Sequence, residues 1–452
     1  MIGMKIGFLS RGEAAAWRNI MPFTVVIADD VTGANDIGIM YTKAGHSSVV
    51  YNYDRLEPDM EFEKDVTIID TNSRFLSYEK AYRRVYEAVK QFDKDRVHQF
   101  IDKQCSVFRG NIGAEFDAML DALEEEFAVV VLGFPDNGRT TLHGIHYVHG
   151  VKLEASQFKN DPVHPMRNSN LAEILQAQTK RRVASIYYET LDQGAGTLKS
   201  KLARLKKESN YVILDVRDNE DLSVIAQAVK EEKVICGSSA LAYYLGKLQQ
   251  GDARTGKEAE EDGQKQGASG KILCIAGSLT PQTKSQINYL KRKHYPVITL
   301  DTTRLFAAED LRREKERILA EYRACCEESG MVVIHSMNDE EDVARTKKMG
   351  ADRQIDNTLI SVTVSDTLSD LAKEIGDCYK IDRYIICGGD TSASFCNRLN
   401  IKGVKILKEI EAGLPTCQSI TEPFYKLVLK SGSFGSEQFI EAAGKVLSDT
   451  AQ

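Results

Sequence analysis

The chain has 452 residues, with 59 Lys+Arg against 66 Asp+Glu, a net charge of −7 and a pI near 5.8. That acidic balance argues against a nucleic-acid partner, which calls for a basic footprint, and the length suits two or three domains of about 100–200 residues. No apolar run approaches the roughly 18–20 residues that span a bilayer, and nine cysteines scattered without a CxxC pair speak for reduced thiols in a cytoplasmic protein rather than a disulfide framework or a zinc site.

Residues 1–20 lack a continuous apolar core and so are not a secretory signal; they read as a disordered tail or a mis-called start. From there short apolar runs alternate with helical patterns: FTVVIA (23–28), SVVYN (48–52), VTIID (66–70), AVVVLG (128–133), VASIYY (183–188), YVILD (211–215) and VICG (234–237). Beyond residue 270 come ILCIAG (272–277), YPVITL (295–300), MVVIHS (331–336), YIICGG (384–389), VKILKEI (404–410) and KLVLK (426–430). Runs without alternation suit strands buried on both faces of a parallel sheet. Between them lie amphipathic helices; in 77–92 the stripe is Ala81, Tyr82, Val85, Tyr86, Val89 and Phe92. The predicted class is α/β, built twice from βαβ units. Residues 250–270 contain five Gly and no strongly apolar side chain, which predicts a flexible linker between an α/β domain at 21–249 and a second at 271–452.

Ligands of open α/β sheets bind at the carboxyl ends of strands. After the first run stand Asp29 and Asp30, then Thr32 and Gly33 at a helix entry; one acid would serve as a cap, and the second points to function. Arg74, Lys103, Arg109 with Gly110 and Asn111, and Arg139 stand near small or polar turns. Together these cations predict a pocket for a small anion. In the second half, Ser278 follows one strand, Gly388-Gly389-Asp390-Thr391 another and Gly432 a third. A strand, two glycines and a helix make a phosphate cradle, and Asp390 suits Mg²⁺ held through water; the bland reading is a tight turn with Thr391 as N-cap. Walker A and GxGxxG patterns are absent, against P-loop and Rossmann-dehydrogenase readings. His143, His146 and His149 lack the acidic partner of a zincin pattern, and Ser238, outside any GxSxG elbow, reads as a helix cap.

Taken together, ADDVTGANDIG (28–38), DTNSR (70–74), FRGNIGAEFDAML (108–120), FPDNGRTT (134–141), DPVHPM (161–166), GSLTPQT (277–283), GGDTSA (388–393), EIEAGLP (409–415) and KSGSFG (430–435) resemble the four-carbon acid sugar kinase family, in order and through both domains. The resemblance implies a sugar-binding N-terminal domain, a nucleotide-binding C-terminal domain, and phosphorylation of threonate, erythronate or 3-oxo-tetronate with ATP and Mg²⁺. With the residue pattern, it leads to the expectation that Asp30 and Asp29 orient or deprotonate the attacking hydroxyl and that Thr32, Gly33, Arg74, Lys103 and Arg109, joined by Gly110, Asn111 and Arg139 from the pattern alone, hold the sugar acid. Ser278, Gly388, Gly389, Asp390, Thr391 and Gly432 would hold ATP, with Asp390 at the metal. Many members carry Asp where this chain has Cys105, which bears on the substrate more than on the reaction. A homodimer is left open. The rivals are a non-catalytic sugar-acid sensor and a dehydrogenase of the same acids.

Overall fold

The computed structural model describes residues 24–449 apart from 58–59, 61, 63–64, 162–163 and 250–269. The tail expected at 1–20 and, save Gly270, the linker expected at 250–270 lie outside the described residues. Each predicted apolar run forms a strand. In the first half these are β1 (Thr24–Ala28), β2 (Ser48–Asn52), β3 (Val66–Asp70), β5 (Ala128–Val131), β9 (Val183–Ile186), β10 (Tyr211–Leu214) and β11 (Val234–Gly237). In the second they are β12 (Ile272–Ala276), β13 (Val297–Leu300), β14 (Met331–Ser336), β15 (Arg383–Cys387), β16 (Gly403–Glu411) and β18 (Lys426–Lys430). Five further strands follow no apolar run: β4 (Gln99–Lys103), β17 (Leu414–Ser419) and a small antiparallel sheet of β6 (Arg139–Leu142), β7 (Ile145–Val148) and β8 (Val151–Lys152).

The order β2–β3–β1–β4–β11–β5–β10–β9 is parallel throughout, as is β13–β14–β12–β15–β18. The α/β class with largely parallel sheets therefore holds in each half. The two halves are also joined through their sheets. The β16–β17 hairpin pairs antiparallel with β18 on one side and with β2 on the other, Val404 facing Val50, so one fifteen-stranded sheet runs through both. The predicted helix at 77–92 is Tyr78–Val89.

The hydrophobic core crosses this junction. Val26, Ile37 and Ile68 share one buried cluster with Ile275, Ile386, Val404 and Ile406. A fully buried aliphatic side chain contributes roughly 1.5–3 kcal/mol, so the halves are packed as one body here. Gly38, in the Val31–Lys43 helix, marks a close approach: a methyl in place of its hydrogen would lie 2.8 Å from Ile406 Cγ1 and 3.1 Å from Ile68 Cδ1. Gly38→Val is accordingly expected to destabilise the protein by about 1–3 kcal/mol, the usual cost of overpacking, read as a lowered urea midpoint.

Candidate active site

Asp29 and Asp30 leave the carboxyl end of β1 together but are held differently. Asp30 is the N-cap of the Val31–Lys43 helix; its Oδ1 accepts from Gly33 N at 2.7 Å and its Oδ2 from the Thr32 hydroxyl at 2.9 Å. Asp29, wholly buried, takes two parallel bonds from Arg74, Nε to Oδ2 at 2.7 Å and Nη2 to Oδ1 at 2.8 Å. The third arm of the same guanidinium, Nη1, reaches Asp30 Oδ2 at 2.6 Å. The loop after β3 is fixed to this point by backbone, since the amides of Ser73 and Arg74 donate to the Asp29 carbonyl. Asn111 anchors that loop, its amide donating to the carbonyls of Ser73, Arg74 and Leu76. Asn111 thus acts on the Arg74 loop, and Gly110, at φ 117°, lies so close to it that a methyl there would stand 3.2 Å from Arg74 Cγ.

Burial pushes the Asp30 carboxyl up, but Arg74, then Lys103, the Gly33 amide and the Thr32 hydroxyl together hold it below the usual carboxylate range. Burial lowers Arg74, and Asp29 and Asp30 more than reverse this, so the guanidinium stays charged. Lys103 ends β4 beside the same helix entry: its Nζ donates to the Gln104 carbonyl at 3.0 Å and would lie 2.9 Å from a methyl on Gly33. Arg109 pairs with Asp161 Oδ2 at 2.6 Å through Nη1, and its Nε points at Cys105 Sγ, 3.4 Å away. Burial raises the Cys105 thiol, yet Arg109 and then Arg74 hold it below its ordinary value. Arg139 is buried, with Nη1 on the Asn137 carbonyl and on His149 Nε2.

Sequence reasoning passed over Asp36 and Ser239. Asp36 Oδ2 accepts from the Ser239 hydroxyl at 2.5 Å and stands 4.0 Å from Lys103 Nζ, while its Oδ1 faces Gly413 at the tip of the β16–β17 hairpin. The second half therefore covers part of the first half's polar cluster. Ser238, expected as a cap, instead donates to the Gly133 carbonyl. The three histidines diverge: His146 is buried between the Thr141 hydroxyl and the Ser106 carbonyl, His149 meets Arg139, and His143 faces Glu189.

In the second half, Gly388 at φ 129° is the N-cap of the Gly389–Arg398 helix, which has no side-chain cap. That φ suits glycine alone. The amides of Gly389, Asp390 and Thr391 have no partner among the described residues, the arrangement that binds phosphate at a helix start. Thr391 is inside the helix rather than its cap, and its hydroxyl packs against Gly277. Ser278 N accompanies Gly277 N onto the Cys387 carbonyl, and Gly432 abuts Ser278 so closely that a methyl there would meet Ser278 Oγ at 2.0 Å. Three strand ends thus meet at one turn.

Acid cluster and cradle face each other. The group nearest to a methyl built on Gly389 is Asp30 Oδ2, 3.9 Å away. Asp390, at 3.4 Å from the Ser361 hydroxyl, is raised by burial and further by Asp30. Two carboxylates thus stand at the cradle and repel one another, while among the described residues no group of three or more metal-ligating side chains is gathered.

The description of a sugar-binding N-terminal domain matches residues 24–245, and that of a nucleotide-binding C-terminal domain matches residues 273–440. The chain belongs to the four-carbon acid sugar kinase family. A 3-oxo-tetronate kinase of Brucella melitensis biotype 1 is 30% identical over 93% of this chain and 95% of its own length, and one of Actinobacillus succinogenes is 31% identical over 92% and 98%. Among solved structures, a Salmonella typhimurium LT2 protein superposes with a TM-score of 0.76 at 27% identity, covering 93% of this chain and 98% of its own. A Haemophilus influenzae protein gives 0.69 at 29% identity, covering 94% and 100%. Both kinase-type domains are thus present at nearly full length. No described helix is long and apolar enough to cross a membrane.

Proposed function

We propose that this kinase, a phosphotransferase with an alcohol acceptor, transfers the terminal phosphate of ATP to a hydroxyl of a four-carbon sugar acid of the threonate, erythronate or 3-oxo-tetronate type. The observation that carries the reading is the 3.9 Å approach of Asp30 to the position beside Gly389, which sets a carboxylate of the first half against the phosphate cradle of the second.

Phosphoryl transfer relies on positioning and charge neutralisation more than on covalent chemistry. Arg109, Lys103 and Arg139 bind the substrate carboxylate and hydroxyls. Asp30, with a carboxyl held below its usual range, is a weak base, so it orients the attacking hydroxyl toward the phosphate rather than removing its proton early. Arg74 keeps Asp30 ionised and in place and clamps Asp29 with two bonds, although burial outweighs the guanidinium there and raises the Asp29 carboxyl above its ordinary value. The amides of Gly389, Asp390 and Thr391, with Ser278 and Gly432, bind the phosphates. Asp390 would hold Mg²⁺, which supplies neutralisation of phosphate charge. The nine unbridged cysteines support a cytoplasmic setting.

Incubating the protein with ATP or with NAD against a panel of four-carbon sugar acids tests the reading. ADP formed only with an acid acceptor is the expected result. Reduced nicotinamide would favour the dehydrogenase, and acid binding without turnover the sensor.

A further inference from the structure

Lys430, the last residue of β18, has no part in the assignments above, yet its side chain is completely buried. Among the described residues no carboxylate lies at ion-pair distance from it. Its ammonium donates instead to Thr283 Oγ1 at 3.1 Å and to the carbonyls of Ser431 at 2.9 Å, Gly432 at 3.3 Å and Phe434 at 3.3 Å. The Gly432 carbonyl also accepts from the hydroxyls of Thr280 at 2.6 Å and Thr283 at 2.9 Å. An ammonium has three protons and no acceptor, so this turn is folded around it.

The peptide group is planar and trans, with N–H directed away from C=O. Turning the Ser431 and Gly432 carbonyls inward to Nζ therefore turns the amides of Gly432 and Ser433 the other way. Neither amide has a partner among the described residues. Gly432 packs against Ser278, and Ser278 N in turn lies 3.4 Å from where Gly388 would carry a methyl. The backbone closes the connection, because Gly388 N donates to the Lys430 carbonyl at 2.9 Å. Successive free amides with their carbonyls tied back form an anion-binding nest.

We propose that Lys430 is a positioning residue for the nucleotide: by gathering the carbonyls of Ser431, Gly432 and Phe434 it presents the Gly432 and Ser433 amides as a second phosphate nest beside the Gly389 helix start. The inference rests on the reading of the second half as the ATP site. Burial draws the ammonium below its ordinary value against the nearby thiols of Cys387 and Cys274, as expected of a desolvated cation behind the turn.

The test uses the full-length protein and ADP. Lys430→Met keeps the side-chain length and removes the donors. It is expected to weaken ADP binding by about 10- to 100-fold, the range for hydrogen bonds to a charged group, and to raise KM for ATP similarly. KM for the sugar acid should stay within about twofold. A variant that melts at a lower temperature but binds ADP as the wild type does would overturn the inference and leave Lys430 a fold staple. The wild type gives a second readout that needs no variant. By amide hydrogen exchange, Gly432 and Ser433 should exchange freely without nucleotide and about tenfold or more slowly with ADP. Unchanged exchange in a protein that binds ADP would overturn this inference alone. A wild type that does not bind ADP would take down the kinase reading as well.

Discussion

Asp30→Asn is expected to lower kcat by about 10²-fold, the cost of a misplaced reacting group, while KM for ATP changes little. A side chain that aligns the nucleophile acts mainly in the transition state, so its loss falls on kcat. Asp30 has two functions that this substitution separates. As a cap it needs one oxygen for Gly33 N at 2.7 Å, and Asn supplies that. On its other oxygen it accepts from Arg74 Nη1 and Thr32 Oγ1. An amide nitrogen in that place would set donor against donor, which makes a modest fall in melting temperature part of the expected outcome. Steady-state kinetics with a melting curve distinguish the two functions. Near-wild-type kcat with an intact melt would mean that Asp30 only caps the helix. Because Arg74 and Lys103 hold its carboxyl low, Asp30 contributes no titration to the rate between neutral pH and the ordinary carboxylate range.

Much of this architecture is written in the sequence, for a physical reason. A strand covered on both faces must be apolar along its whole length, and every such run is a strand here. β4 escaped because it reads QFIDK: Asp102 and Lys103 are buried polar residues at the centre of the sheet, where the Gln104 side-chain amide donates to Asp102 and Glu115 and the Gln104 carbonyl accepts from Lys103. The strand most involved in the site is thus the one least visible as a strand. The hairpin β16–β17 was half seen, since its second strand begins Leu414-Pro415-Thr416 and alternates too little to be read alone. Its consequence, a single sheet through both halves, depends on pairing between residues some 350 positions apart in sequence, Gly403 with Tyr51 among them, and no local pattern encodes that. In the site, residue types announced themselves where chemistry is crowded: Asp29, Asp30, Arg74 and the Gly388 turn. The division between them did not. Nothing in ADDVTG says that Asp29 is clamped and Asp30 is left facing the cradle. Lys430 was hidden because a lysine at a strand end ordinarily reads as a solvent-exposed terminus. The replacement of the family's Asp by Cys105 was legible, and the structure adds that Arg109 keeps a carboxylate partner in Asp161.

Arg74→Met is expected to produce the largest loss of stability of any single change in the site, about 3–5 kcal/mol, the cost of removing one partner from a buried ion pair. The side chain is 10% exposed and gives Asp29 two bonds and Asp30 one. Methionine fills much of the volume but leaves two adjacent carboxylates, one of them wholly buried, without their counter-ion. A surface ion pair would yield no more than about 1 kcal/mol, so the magnitude alone separates the two cases. Asp29→Asn added to Arg74→Met should recover part of the loss, because the double variant removes the buried carboxyl, already raised by burial, that the single variant strands without its partner. A coupling of roughly 0.5–3 kcal/mol between the two changes is the expected reading of that cycle. Urea unfolding of the four proteins measures it, provided the slopes agree. Activity should not follow stability. With Arg74 gone, Asp30 loses the contact that holds it against the cradle, so the double variant should regain its fold but not its turnover. Recovery of both together would mean that Arg74 contributes to the reaction only by keeping the protein folded.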